Sequence, residues 1–182
     1  MILKNGRVFT ENGVFIDADV ELKDGKIVKV APRGTLSGDE ELDVQGKYVT
    51  PGFVDIHIHG AAGADFCDGM DGSDKYVRAI QKYLGSQGVT SFLGTTMAFS
   101  EEILDRIFDV ARPIFGQEGY GAVLRGVNME GPFFNKAKKG AQAEEYIVDP
   151  DWEMFQRLWE RSGHNIRLVD VAPEQPGALE FA

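Results

Sequence analysis

Pro51-Gly52-Phe53-Val54-Asp55-Ile56-His57-Ile58-His59-Gly60 is the stretch whose reading decides the fold. Phe53, Val54, Ile56 and Ile58 form a nearly continuous apolar run, the pattern of a short strand covered on both faces in a parallel sheet. Pro51-Gly52 opens it and Gly60 closes it. Side chains alternate along a strand, so His57 and His59 point the same way. Two imidazoles on one face at a strand's C-terminal end make half of a site for one divalent ion, with positions left for a carboxylate and water. A lone histidine is more often a packed or surface residue. Here the pair holds two of the chain's three histidines, which favours the metal.

Working outward toward the C-terminus, strand and helix alternate. Residues 75–87 read as a helix with Tyr76, Ile80, Tyr83 and Leu84 near one face, Ser73 as N-cap and Gly88 as stop. Residues 89–94 read as a second strand. Ser100 caps a second helix whose apolar side carries Ile103, Ile107, Val110 and Ala111, and which Pro113 ends. Residues 123–130 read as a third strand. A third helix starts at Asp149-Pro150-Asp151 and carries Trp152, Phe155, Leu158 and Trp159 as a core stripe. Residues 166–172 read as a fourth strand. Repeated strand–helix units predict an α/β fold with a parallel sheet and right-handed crossovers. Four units are half of an eight-unit barrel, which takes roughly 250 residues. Residues 51–182 are thus expected to be the first half of a (β/α)8 barrel, with the chain stopping short of its own architecture.

Toward the N-terminus, residues 1–50 read as all-β. Asn5-Gly6, Asn12-Gly13 and Asp24-Gly25 are hairpin-turn dipeptides, since Asn and Gly tolerate the positive φ of such turns. No catalytic constellation falls here, and fifty residues are a thin basis for an independent core.

Composition narrows the partners. The 182 residues carry a net charge of −10 and no basic stripe, which argues against nucleic acid and anionic membrane surfaces. The single cysteine, Cys67, permits no intramolecular disulfide and points to a reducing compartment. The start lacks the apolar core of a signal peptide and no stretch is long enough to span a bilayer, so the expected location is the cytoplasm.

The third metal ligand is expected at Glu130, which ends the third strand in Asn128-Met129-Glu130-Gly131-Pro132-Phe133. Strand ends converge on the catalytic face of a barrel, so this carboxylate can meet His57 and His59. Two His and one Glu suit a hydrolytic ion such as zinc, which lowers the pKa of bound water and polarises a carbonyl. The following loop, Asn135-Lys136-Ala137-Lys138-Lys139-Gly140-Ala141-Gln142, is basic in an acidic protein and attracts an anionic substrate. Gln142 is suited to hydrogen-bond a sugar hydroxyl or an amide. His164 precedes the fourth strand, at the wrong end, and reads as structural. Cys67 carries little weight as a nucleophile, and Asp65 and Asp68 read as turn formers.

Asp24-Gly25-Lys26-Ile27, followed by the stretch from Tyr48 to Gly60, resembles the opening of the amidohydrolase superfamily. Together with Gly60-Ala61-Ala62-Gly63, Thr95-Thr96-Met97, the Glu130-Gly131-Pro132-Phe133 motif, Lys139-Gly140-Ala141-Gln142 and Ala172-Pro173-Glu174, it is similar to the N-acetylglucosamine-6-phosphate deacetylase family, over the N-terminal half of that family's length. The resemblance implies a TIM-like barrel with a small β-sandwich built from both chain ends, residues 1–50 supplying part of the sandwich. It implies removal of the N-acetyl group of N-acetylglucosamine 6-phosphate, giving glucosamine 6-phosphate and acetate. Glu130 matches the principal metal ligand. His57 and His59 match a second metal position, so one or two ions, zinc or else iron or another divalent metal, are expected. Gly131, Ala141 and Gln142 match substrate contacts. The resemblance assigns no catalytic residue within this chain, because the family's general-base Asp, later metal-binding histidines and phosphate-binding residues have no counterpart up to Ala182. The 182 residues alone are therefore expected to be inactive, and the unpaired strand edges of half a barrel predict a homo-oligomer. Two other readings compete. One is an amidohydrolase acting on cyclic amides or N-acyl amino acids; many of those use a carboxylated lysine on the fourth strand, and residues 166–172 contain none. The other is a non-catalytic fragment that binds metal or self-associates.

Overall fold

In the computed structural model, which describes residues 1–182, the chain divides into two units, Met1–Gly52 and Phe53–Ala182. The N-terminal unit is a five-stranded mixed sheet. Strands β1 (Ile2–Phe9), β2 (Phe15–Lys23) and β3 (Lys26–Pro32) run antiparallel, while β4 (Glu41–Asp43) and β5 (Tyr48–Val49) pair with β1 in parallel. Asp24 and Gly25, both at positive φ, make the tight β2–β3 turn read from the sequence. Asn5-Gly6 is not a turn. It lies inside β1, where Asn5 has φ 58° and the register against β2 shifts between Leu3 and Gly6. The same tolerance of positive φ that suits a hairpin suits a β-bulge.

The bulge has a structural use. Asn5 N–H donates to Asp19 Oδ1 at 2.9 Å, Gly34 N–H donates to Asp19 Oδ2 at 2.8 Å, and Lys4 Nζ lies 3.3 Å from that second oxygen. Asp19 is fully buried beside a small core of Val8, Ala18 and Val20. Burial opposes the charge on this carboxylate, but the two N–H groups and Lys4 outweigh it and hold its pKa below the usual value.

The second unit is a four-stranded parallel sheet in chain order. Strands β6 (Phe53–Ile58), β9 (Val89–Thr95), β10 (Val123–Glu130) and β11 (Ile166–Asp170) lie side by side, with a two-stranded ribbon of β7 (Gly60–Ala61) and β8 (Ala64–Asp65) after β6. Helices α1 (Lys75–Ser86), α2 (Glu101–Ala111) and α3 (Trp152–Arg161) occupy the crossovers, and a short α4 (Ala178–Phe181) follows β11. Caps form where the sequence places them for α2 and α3: Ser100 accepts from Ile103 N–H and Asp151 from Met154 N–H. Helix α1 instead starts after Asp74, without a side-chain cap bond. Asp65 caps a 3₁₀ turn over Phe66–Asp71 and Asp68 closes the capping box, so both are turn formers as read.

The buried helix faces differ from the expected ones by about one position. Helix α1 buries Val77, Ile80, Gln81 and Leu84, and α2 buries Leu104, Ile107, Phe108 and Ala111, each at i, i+3, i+4, i+7 spacing. Tyr83 turns outward, and Gln81 enters the core because its Nε2 donates to Ala122 O at 3.0 Å. The stripe on α3 is only partly core. Leu158 is buried, but Trp152 stays exposed while packing against Phe155 and Phe181, and Trp159 stacks on His164. Strand β6 also departs from the doubly covered strand read from its sequence. It pairs with β9 alone, and Phe53, Val54 and Ile56 are 58%, 66% and 56% exposed. β6 is the edge strand of the sheet, and none of these three side chains joins the buried core cluster.

A depressed carboxylate pKa stabilises the fold above the unfolded-state value, about 3.9, and that stabilisation is lost as pH falls through the lower folded-state value. Asp19→Ala should destabilise the N-terminal unit by at least about 2 kcal/mol at neutral pH, since Asn5 and Gly34 lose buried acceptors. It should also flatten the acid limb of stability below about pH 4. Denaturant unfolding of both proteins from pH 3 to pH 7 checks this, and parallel curves would refute it.

Candidate metal centre

The C-terminal ends of the parallel strands gather the polar groups of the second unit. His57 lies in β6 and His59 just after it, one strand period apart, so both rings stand on one side with centroids 5.2 Å apart and planes at 89°. Glu130 is the last residue of β10 and reaches across the end of the intervening β9. Thr95, the last residue of β9, ties the edge strand down there by accepting from Ile58 N–H at 2.9 Å.

Glu130 Oε2 lies 2.8 Å from His59 Nε2 and 3.3 Å from His57 Nε2. One ligand atom from each of the three residues lies within 4.8 Å of the others. Glu130 Oε2 is nevertheless buried without a hydrogen-bond partner. A buried carboxylate oxygen that faces two ring nitrogens and accepts no hydrogen bond fits a shared cation. The donor set, two imidazoles and a carboxylate, also fits a divalent hydrolytic metal.

Two neighbours were not read from the sequence. Asn128, two residues before Glu130 on the same strand face, has Nδ2 at 2.9 Å from His57 Nδ1 and 3.3 Å from Ile56 O, while its Oδ1 is buried and unpartnered. Ile56 O can only accept, so the amide atom beside it is the nitrogen, and the same atom faces His57 Nδ1 and holds the ring in place. Asp170 ends β11 directly opposite Glu130 in the strand register, with Oδ2 buried and unpartnered. Burial pushes its carboxyl above the ordinary aspartate value. His57 pulls it back, Glu130 pushes it further up, and Asn128 and His59 lower it. The available signal was an acid closing an otherwise apolar strand, Leu168-Val169-Asp170.

The other expected residues divide. Gln142 reaches the site, but its side chain is bonded within the protein, to Ala98 N–H and to Glu130 Oε1. Gly131 follows Glu130, is buried, and has φ 81°; a Cβ there would stand 3.0 Å from Ala98 Cβ. Ala141 is exposed and stands outside the metal cluster. In the basic loop Lys136 and Lys138 are exposed, whereas Lys139 Nζ donates to Gln142 O at 2.9 Å. His164 is occupied by Glu160 and Trp159, away from the site. Cys67 is buried, its thiol pushed up to about 12 by that burial, so it is no nucleophile at neutral pH. A surface cavity of about 850 Å³ lined by Asp71, Arg78, Arg106 and Pro113 contains none of the three candidate ligands.

Residues 40–176 match the family model described as Amidohydrolase family. The chain is 36% identical over 179 residues to an N-acetylglucosamine-6-phosphate deacetylase of Lysinibacillus sphaericus, covering 98% of this chain and 46% of that protein. It is 33% identical over 187 residues to the Bacillus subtilis protein of the same name, covering 100% of this chain and 46% of that one. Among solved structures, the N-acetylglucosamine-6-phosphate deacetylase of Pasteurella multocida superposes with a TM-score of 0.84 at 26% identity, over 99% of this chain and 46% of that chain. The chain thus spans about half the length of the curated relatives it matches.

Glu130 Oε2 is the atom shared by both imidazoles, so its loss should cost more metal than loss of either ring. Elemental analysis after dialysis against a divalent metal should find Glu130→Gln well below half of the wild-type content, with His59→Asn reduced less. Wild-type content in Glu130→Gln would refute the site.

Proposed function

This chain belongs to the amidohydrolase family, and from that premise we propose that it is the N-terminal portion of a metal-dependent deacetylase acting on N-acetylglucosamine 6-phosphate. The observation that carries the reading is the convergence of His57, His59 and Glu130 at the C-terminal ends of β6 and β10, two parallel strands on either side of β9. In this reading the four-stranded sheet is the first half of a (β/α)8 barrel, whose strand ends are where such folds place their chemistry. Residues 1–50 contribute part of a β-sandwich.

His57 Nε2, His59 Nε2 and Glu130 Oε2 hold a divalent ion, with zinc the metal best suited to this donor set. Such an ion, when bound, activates water and polarises the acetamide carbonyl. The rest of the work falls to the chain's own residues. Asn128 holds the His57 ring and Thr95 fixes the strand that carries it. Gly131, at φ 81°, turns the backbone beside Glu130 where a side chain would meet Ala98 and Phe134, and is the proposed main-chain contact for the sugar. Ala141 stands on the loop that would face the sugar, and the exposed Lys136 and Lys138 attract its phosphate. Asp170 is a second carboxylate at the same strand ends, placed to interact with the substrate's polar groups or with the ligands. With one buried cysteine and no helix long and apolar enough to cross a membrane, the proposed setting is the cytoplasm.

Acetate release by the gene product that carries this chain tests the substrate. The reading expects kcat/KM for N-acetylglucosamine 6-phosphate to exceed that for N-acetylglucosamine by at least about tenfold, because phosphate binding energy is used in the transition state. Equal efficiencies would refute it.

A further inference from the structure

Gln142 is buried, only 4% exposed, in a loop far along the chain from the histidines. Its side-chain amide is held from both ends. A backbone N–H can only donate, so the amide atom 2.7 Å from Ala98 N is the oxygen. That leaves Nε2 on the other side, where it donates to Glu130 Oε1 at 3.1 Å. The loop backbone is fixed in turn: Gln142 N–H donates to Lys139 O at 3.2 Å, and Lys139 Nζ donates back to Gln142 O at 2.9 Å.

We infer that Gln142 is a positioning residue for the metal-binding carboxylate, clamping Glu130 so that it offers one oxygen to the cation. The inference rests on the reading of His57, His59 and Glu130 as metal ligands. A glutamate's terminal torsion is broad and roughly two-fold, so an unrestrained carboxylate presents either oxygen, or both. Gln142 removes that freedom by occupying Oε1. Oε2 is left without a hydrogen bond and aimed at the two imidazoles. The clamp spans three segments of the unit: Ala98 in the loop after β9, Glu130 at the end of β10, and the loop beyond it. It is also neutral. A lysine at position 142 would hold the same oxygen but place a positive charge beside the cation, whereas an amide orients the carboxylate without that repulsion.

Cobalt(II) titration of the gene product that carries this chain, followed by ligand-field absorption and by competition with a chelating dye, tests this. Gln142→Met keeps the side-chain length and removes both hydrogen bonds. It is expected to weaken cobalt binding about 10- to 100-fold, the usual cost of losing an outer partner of a metal ligand. It is also expected to weaken the visible absorption per bound ion, as a released carboxylate binds through both oxygens and raises the coordination number. Wild-type affinity and spectrum in Gln142→Met would overturn the clamp. Failure of the wild-type chain to bind cobalt would instead overturn the metal reading on which it rests. Should Gln142→Met not fold, as judged by circular dichroism, the wild type decides. Its Gln142 side-chain amide protons should exchange slowly with water and shift when cobalt's diamagnetic counterpart zinc is added. Fast exchange and unmoved resonances would overturn the inference.

Discussion

Glu130 Oε2 is a buried anionic oxygen with no hydrogen-bond donor, facing two imidazole nitrogens at 2.8 and 3.3 Å, and much of the second unit is arranged around it. A carboxylate withdrawn from water is costly unless it is paired, and a shared cation is the pairing this geometry fits. The requirement reaches into the fold. Glu130 and the histidines lie on strands separated by one neighbour, so the sheet must be parallel for all three to reach the same end. The strands must also keep register to within a residue, because a slip of one turns every side chain to the opposite face.

Rigidity follows from where the groups sit. The three candidate ligands come from the ends of strands, which hold geometry better than long loops do. Around them stands a second layer drawn from different segments: Asn128 on His57, Thr95 under the edge strand, Gln142 on Glu130, and Asp170 across the register from Glu130. One core cluster joins the helices to the sheet, with Phe66, Phe92, Phe108 and Leu158 among the residues fully removed from water. The N-terminal unit solves a smaller version of the same problem, since its buried Asp19 is matched by two N–H groups and Lys4.

The strand–helix alternation was legible because apolar periodicity and capping residues are local signals. The His-x-His spacing was legible because strand parity is rigid: it puts His57 and His59 on one side whatever surrounds them. Glu130 could be read from its place at a strand end. Features set by long-range partners were not legible. Asn5-Gly6 has the same local chemistry in a bulge as in a turn, and only pairing with β2 and Asp19 distinguishes them. Gln81 is polar, and its burial depends on a carbonyl 41 residues away. Gln142 was assigned to the substrate because side-chain chemistry names possible partners, while Ala98 and Glu130 become visible as its partners only in three dimensions. Asp170 passed unread because its meaning comes from the strand beside it. The exposure of β6 likewise reflects what packs on it, which its own apolar run does not encode.

X-ray absorption spectroscopy of the zinc-loaded protein tests the central claim most directly. The account predicts nitrogen and oxygen neighbours at about 2.0–2.1 Å together with the outer-shell scattering of two imidazole rings. A spectrum fitted by oxygen neighbours alone, without imidazole scattering, would contradict it.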